Sequence, residues 1–129
     1  MLKEILILDL IPNNFYINED KLNKIREVYK NKKEGDLPPV TVAIINNEYA
    51  LIDGHSRTMA AFENNNKTIL ADVVSIEDIE GPTKLYLKIH EEAKYKGLTS
   101  IEKLKDRIVE NKDHKKLWVD YCTKLMKNL

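Results

Sequence analysis

The sequence predicts an α+β fold, in which a small β-sheet packs against helices and a helical segment follows. Two patterns lead to this prediction. Runs of aliphatic and β-branched residues alternate with turn signals and an amphipathic helix as far as about residue 75. Beyond that point only helical patterns with capping signals remain. We therefore expect a sheet-containing domain at 1–76 and a three-helix C-terminal subdomain at 77–129.

The first strand and the first helix are predicted near the N-terminus. Residues 4–11 (EILILDLI) are rich in Ile and Leu and end before Pro12, which is typical of a buried strand that runs into a loop. Asn18 can cap the helix that follows, because its side chain can accept hydrogen bonds from the first turn. The spacing of apolar residues extends this helix to about residue 32.

A hairpin and a further strand complete the predicted sheet. Residues 40–45 (VTVAII) and 48–52 (EYALI) are separated by Asn46 and Asn47. Asparagine tolerates positive φ, so this pair indicates a tight turn between antiparallel strands. Residues 68–74 (TILADVV) predict another strand.

Three helices are predicted in the C-terminal part. The first runs from about Thr83 to the residue before Gly97, a residue suited to a helix C-terminus. Thr99 opens the second through a capping box. Asp113 is expected to cap the third, whose lysine-rich start leaves His114 exposed to solvent.

Composition and charge exclude several classes of protein. With 43% hydrophobic and 33% charged residues, the chain is too apolar for disorder and too charged for a membrane span. Lys and Arg total 21 and Asp and Glu total 21, so no basic field supports non-specific nucleic-acid binding. One cysteine, Cys122, excludes an internal disulfide and a cysteine-rich zinc site. We expect a soluble cytoplasmic protein.

The segment 53–58 (DGHSRT) carries the candidate chemistry, because it joins a predicted strand to a predicted helix. A helix N-terminus offers free N–H groups and partial positive charge, which favour an anion. Gly54 lets the backbone approach a ligand, and Ser56 and Thr58 add hydroxyl groups. The forked guanidinium of Arg57 can hold two phosphate oxygens. This pattern predicts a phosphate site.

A purely structural interpretation of the same segment stays open. In it, Asp53 caps the helix and pairs with Arg57, while His55 lies on the surface. No P-loop or GxGxxG motif can be drawn, because the four glycines lie far apart in the sequence. Any phosphate site must therefore depend on the single-glycine turn.

The order of elements and the motif LIDGHSRTMAAF resemble the ParB/sulfiredoxin superfamily, whose members carry D-G-H-H-R, G-E-R-R or G-C-H-R at this turn. The resemblance covers about residues 4–75 and implies a ParB/sulfiredoxin-like small mixed sheet flanked by helices. It also implies that the turn binds nucleotide phosphates. Sulfiredoxin activity is not expected, because His55 stands where that activity needs a cysteine.

The resemblance implies roles for individual residues. The turn is most similar to the D-G-H-H-R form of kinase-like members, with Ser56 in place of the second histidine. Asp53 would be catalytic, holding Mg²⁺ or orienting the acceptor. Glu19 falls near the base of kinase-like members, although it also suits a helix N-terminus. The implied phosphate-binding residues are Gly54, His55, Ser56, Arg57 and Thr58.

The leading hypothesis is thus a nucleotide-binding protein that takes ATP, ADP or CTP with Mg²⁺. It extends to a kinase or nucleoside triphosphatase with a small-molecule or protein acceptor. In this hypothesis Arg57→Ala abolishes binding and leaves the fold intact. One alternative is a DNA-associated regulator or nuclease related to partition proteins, which the zero net charge does not favour. Another is a non-catalytic interaction module that forms a homodimer through its C-terminal helices.

Overall fold

A computed structural model describes all 129 residues and shows the α+β fold that the sequence predicts. The strands are β1 (Leu2–Leu6), β2 (Leu10–Pro12), β3 (Ile17–Asn18), β4 (Val40–Ile45), β5 (Glu48–Asp53), β6 (Thr68–Ser75) and β7 (Ile108–Val109). The helices are α1 (Glu19–Lys30), α2 (His55–Glu63), α3 (Thr83–Lys96), α4 (Asn111–His114) and α5 (Asp120–Lys127), with a π-helical segment joining α4 to α5. None of these helices is both long and apolar enough to cross a membrane.

Five strands form a mixed sheet in the order β1-β6-β4-β5-β2. The β1–β6 and β4–β5 pairs are antiparallel, whereas β4–β6 and β2–β5 are parallel. A separate two-stranded sheet pairs β3 with β7 in parallel. The mixed sheet flanked by helices is therefore confirmed, and a strand of the C-terminal part joins the N-terminal part.

One hydrophobic core unites both parts of the chain. It contains 22 buried residues, drawn from the strands, from α1 and α2, and from the segment after residue 76. Leu22, Val40 and Met59 contribute from the first part, and Ile89, Leu104 and Trp118 from the second. Their burial removes apolar surface from water, which stabilises the packing of the two parts against each other.

The local turn and capping predictions are confirmed at three places. The Asn18 side chain accepts hydrogen bonds from the backbone N–H groups of Asp20 and Lys21 at 3.0 and 3.4 Å. The hairpin turn has positive φ at Asn46 and Asn47, 51° and 63°. Helix α3 covers the expected residues, and Gly97 ends it in the left-handed region.

The apolar run 4–11 is two strands, not the single strand that we predicted. A 3-10 turn, Ile7–Asp9, separates β1 from β2, and the two lie at opposite edges of the sheet. The Ile7 side chain is buried in the hydrophobic core, and the Ile7 backbone N–H donates to the Lys67 carbonyl at 2.9 Å. Because the turn residue is itself apolar, periodicity alone could not reveal the break.

Two predictions in the C-terminal part are wrong. The helix expected from Thr99 is only the 3-10 turn Ile101–Leu104, and the chain then extends into β7. The two end residues of this turn are buried and lie three residues apart, a spacing that suits a 3-10 turn as well as an α-helix. Asp113 lies inside α4, whose N-cap is Glu110. The part still contains three α-helices, α3, α4 and α5.

Candidate functional site

The turn between β5 and α2 opens into a cleft of about 380 Å³. Five consecutive residues, 53–57, form one part of its lining. Helix α1 adds Lys21 and Lys24, the loop before β3 adds Tyr16, and α4 adds His114. The structure thus brings five of the predicted site residues to one cleft and surrounds them with side chains from distant parts of the chain.

Gly54 is required by the geometry of this turn. It is the N-cap of α2 and adopts φ 106°, a conformation that side-chain-bearing residues rarely take. A Cβ atom at this position would lie 2.8 Å from Val40 Cβ and would overlap Val40 Cγ1. The backbone therefore packs directly against β4.

The N-terminus of α2 has no side-chain cap. Neither Asp53 nor any other side chain accepts a hydrogen bond from its first N–H groups, and its first turn contains no acidic residue. Those groups carry partial positive charge. Because this end of the helix lies on the cleft, the arrangement favours a bound anion.

Arg57 is a framework residue of the turn. Its Nη1 donates to the carbonyls of Pro38 and Pro39 at 2.9 and 3.0 Å, and its Nη2 donates to Asp53 Oδ2 at 3.0 Å. The Arg57 side chain is only 15% exposed, whereas that of Asp53 is 75% exposed. The structural interpretation is therefore right about the Asp53–Arg57 ion pair. Three of the five guanidinium N–H groups are used in these bonds, and two remain for a ligand.

His55 is buried, so the surface position in the structural interpretation is wrong. Its Nε2 accepts a hydrogen bond from the Asn13 backbone N–H at 3.0 Å, which leaves the proton on Nδ1. The pKa of His55 is lowered to about 4, mainly by burial; the negative charge of Asp53 acts in the opposite direction, and the positive charges of Arg57 and His114 add smaller decreases. His55 is a neutral imidazole at neutral pH.

Two predicted site residues do not line the cleft. Thr58 is fully buried, and its Oγ1 donates to the Gly54 carbonyl at 2.9 Å, which stabilises the first turn of α2. Glu19 is half-buried at the start of α1. Neither side chain lies where a ligand in the cleft would contact it.

The cleft residues that the sequence did not reveal include two lysines and a histidine. Lys21 and Lys24 are three residues apart and therefore share a face of α1, but nothing in the sequence indicated that this face meets the turn. His114 is half-buried instead of exposed. Burial and then the positive charge of Lys21 lower its pKa, while the backbone of Tyr16 acts in the opposite direction.

The charges that line the cleft favour anions, although the whole chain is neutral. Lys21, Lys24 and Arg57 are cationic, and Asp53 is the only carboxylate among the lining residues. The chain has no group of three His, Cys, Asp or Glu residues that could hold a metal ion. A metal at Asp53 would therefore need oxygen ligands from a bound molecule, as Mg²⁺ often has.

Cys122 is not a reactive thiol of this site. It lies on α5, outside the cleft lining, and is half-buried. Burial, with a contribution from the Glu92 carboxylate, raises its pKa to about 11. The thiol is therefore protonated at neutral pH, which makes it a poor nucleophile.

We expect Arg57→Ala to lower the free energy of unfolding by about 2 kcal/mol, because it removes three hydrogen bonds that hold the turn. This differs from the sequence-based hypothesis, in which the substitution leaves the fold intact. Arg26→Ala is the matched control: Arg26 pairs with Glu63 at 2.6 Å, but both side chains are about one-third exposed. It should cost less than about 1 kcal/mol. Urea denaturation of both variants measures the difference, and equal losses would contradict the framework role.

A comparison with protein-family models found no match, and neither did a comparison with curated proteins. Among solved structures, protein Atu1540 from Agrobacterium tumefaciens is 20% identical with a TM-score of 0.51 and covers 58% of this chain. The C-terminally truncated chromosome-partitioning protein ParB from Caulobacter crescentus, complexed with CTP-gamma-S, is 21% identical with a TM-score of 0.50 and covers 74%. The aligned parts are 39% and 53% of those proteins. These similarities confirm the fold that the sequence resemblance implied.

Proposed function

From the ParB/sulfiredoxin-like fold of this chain and the cationic cleft at its β5–α2 turn, we propose that the protein binds a nucleotide through its phosphates. The observation that carries the proposal is the uncapped N-terminus of α2, which opens into a cleft lined by Lys21 and Lys24. The ligand class is ATP, ADP or CTP, with Mg²⁺ as the counterion.

The phosphate contacts follow from the backbone of the turn. Gly54, at φ 106°, turns the chain from β5 into α2, and the first N–H groups of α2 have no side-chain cap, so they can bind phosphate oxygens. The Ser56 hydroxyl lines the same cleft and can donate a hydrogen bond. The two lysines balance the remaining phosphate charge, which a helix N-terminus of about half a positive charge cannot do alone.

Two observations support a nucleotide over a simple anion. The cleft volume of about 380 Å³ falls in the range of sites for small organic ligands. The similar ParB structure is a complex with CTP-gamma-S. Asp53 is suited to help hold Mg²⁺ together with phosphate oxygens, because its carboxylate is exposed beside the turn.

Phosphoryl transfer is the reaction that the sequence resemblance implies, and we include it in the proposal. Such transfer depends mainly on positioning and charge neutralisation, which the lysines, Arg57 and a bound Mg²⁺ would provide. Asp53 is the carboxylate placed to orient an acceptor, since Glu19 does not line the cleft. Release of phosphate or labelling of an acceptor would test this step separately from binding.

Binding is tested with the double variant Lys21→Gln, Lys24→Gln and with ATP, ADP, CTP and GTP as magnesium salts. Isothermal titration should give a dissociation constant for at least one nucleotide. The double variant should weaken it roughly 30-fold, which corresponds to about 2 kcal/mol for two lost charges. Binding should also weaken as salt is added.

The matched control is Lys30→Gln, on the same helix but outside the cleft lining. It should bind like the unaltered protein, and all three proteins should melt at similar temperatures, because these lysines are exposed. If no nucleotide binds, or if the double variant binds as tightly as the control, the proposed function is wrong.

A further inference from the structure

The C-terminal part is anchored beside the cleft by hydrogen bonds to the residues that precede α1. Strand β7 pairs with β3, and the Ile17 N–H donates to the Arg107 carbonyl at 3.0 Å. The Asn18 side chain, which caps α1 through its oxygen, donates through Nδ2 to Asn111 Oδ1 at 2.8 Å. Because Asn111 is the first residue of α4, this contact fixes α4 against the start of α1.

This anchoring places the last residue of α4, His114, in the lining of the cleft. The ring is half-buried, and Lys21 is near enough to influence its charge. The same cleft contains the uncapped N-terminus of α2. The cleft is therefore built jointly by the sheet-containing part and by the segment whose role the sequence left open.

We infer that His114, in its protonated form, binds the phosphates of the ligand, so that the C-terminal part completes the site and makes its affinity depend on pH. This inference rests on the proposed function. It assigns the ligand contact to a residue outside the motif at the turn.

The charged and titratable groups around His114 determine the direction of this dependence. Those that line the cleft with it are Tyr16, Lys21, Lys24, Asp53, His55 and Arg57, and its neighbours on the same helical segment are Lys112, Asp113 and Lys115. Burial and Lys21 lower its pKa, so the ring is mainly neutral at neutral pH without a ligand. A bound phosphate adds negative charge and raises that pKa. The ring therefore takes up a proton on binding, and affinity rises as the pH falls.

The other two histidines do not produce the same effect. Burial keeps the pKa of His55 at about 4, so this ring stays neutral in mildly acidic solution. His90 lies outside the cleft lining, and its Nε2 is 3.1 Å from Glu48 Oε1. His114 is therefore the histidine of the cleft whose titration can couple to binding.

The test compares the unaltered protein with His114→Gln, which keeps a polar side chain but cannot take up a proton. Dissociation constants for the magnesium salts of CTP and ATP are measured near pH 6 and near pH 8. The nucleotide phosphates titrate identically in both experiments. The ratio of the two proteins' dissociation constants therefore shows the effect of the histidine alone. We expect the unaltered protein to gain about fivefold more affinity than the variant on acidification. Lys116→Gln, an exposed neighbour outside the cleft lining, should behave like the unaltered protein.

NMR titration of the histidine rings gives a second measurement that does not need the variant. Adding CTP should move the midpoint of His114 to higher pH. If the variant and the unaltered protein respond equally to pH, and the His114 midpoint does not move, the inference is wrong and the proposed function stands. If none of ATP, ADP, CTP and GTP binds the unaltered protein at either pH, both are wrong.

Discussion

Gly54→Ala should lower the free energy of unfolding by about 3 kcal/mol, although it adds only one methyl group. Two costs combine at this position. The backbone φ of 106° lies where a residue with a Cβ is strained, and the new Cβ would overlap Val40 in β4. The turn cannot shift easily, because Arg57 ties it to the carbonyls of Pro38 and Pro39. The melting temperature should fall by roughly 10 °C.

Two other glycines provide controls that separate strain from overlap. Gly97 also has positive φ, 73°, but a Cβ there would meet no atom within 4 Å, so Gly97→Ala should cost about 1 kcal/mol. Gly35 has neither positive φ nor a close neighbour, so Gly35→Ala should be close to neutral. Urea denaturation of the three variants should give this order. A loss at Gly54 no larger than that at Gly97 would mean that the close packing against Val40 is not rigid.

The stability of the protein should fall by about 3 kcal/mol between neutral pH and about pH 4 because of His55 alone. Its pKa is about 4 in the folded protein, against 6.5 for an ordinary histidine. Above pH 6.5 the ring is neutral in both states and costs nothing. As the pH falls below 6.5, the unfolded chain takes up a proton that the buried ring cannot accept, so unfolding becomes more favourable. The loss is complete near the folded pKa.

His55→Gln isolates this contribution, because the glutamine side chain can still accept the hydrogen bond from the Asn13 N–H but does not titrate. Urea denaturation at several pH values should show a flatter acid dependence for the variant. Carboxylate protonation affects both proteins alike and cancels in the difference. NMR of the His55 ring in the unaltered protein should give a midpoint near 4. Parallel stability curves together with a midpoint near 6.5 would contradict the buried, neutral ring.

Local chemistry explains which elements the sequence predicted well. Asn18 caps α1, the pair Asn46 and Asn47 turns the hairpin, and Gly97 ends α3, because each depends on interactions within a few residues. The sequence did not predict the 3-10 turn Ile7–Asp9. Ile7 lies in this turn, but its side chain is apolar and buried, so the residue continues the apolar pattern of a strand. Rules based on local sequence fail where the tertiary structure divides one apolar run between two strands and a turn.

The sequence likewise predicted some features of the candidate site and missed others. The sequence located the turn and its glycine. It also predicted the Asp53–Arg57 pair, because Asp53 directly precedes the N-cap of α2 and Arg57 lies in the first turn of that helix. It did not show that Arg57 would bind the carbonyls of Pro38 and Pro39, which immediately precede β4 and lie 19 and 18 residues from Arg57 along the chain. It also placed Thr58 among the ligand contacts, whereas the first turn of α2 uses that hydroxyl internally.

By itself, then, the sequence determined that the chain is an α+β protein with a glycine turn that leads from a strand into a helix, since strand and helix periodicity and turn chemistry are local properties. Only the tertiary structure decided what surrounds that turn. Lys21 reaches the cleft because α1 packs against α2. His114 reaches it because β3 pairs with β7 across some ninety residues of chain, a pairing set by backbone hydrogen bonds that carry no side-chain signal. The burial that keeps His55 neutral is likewise a property of the packed core.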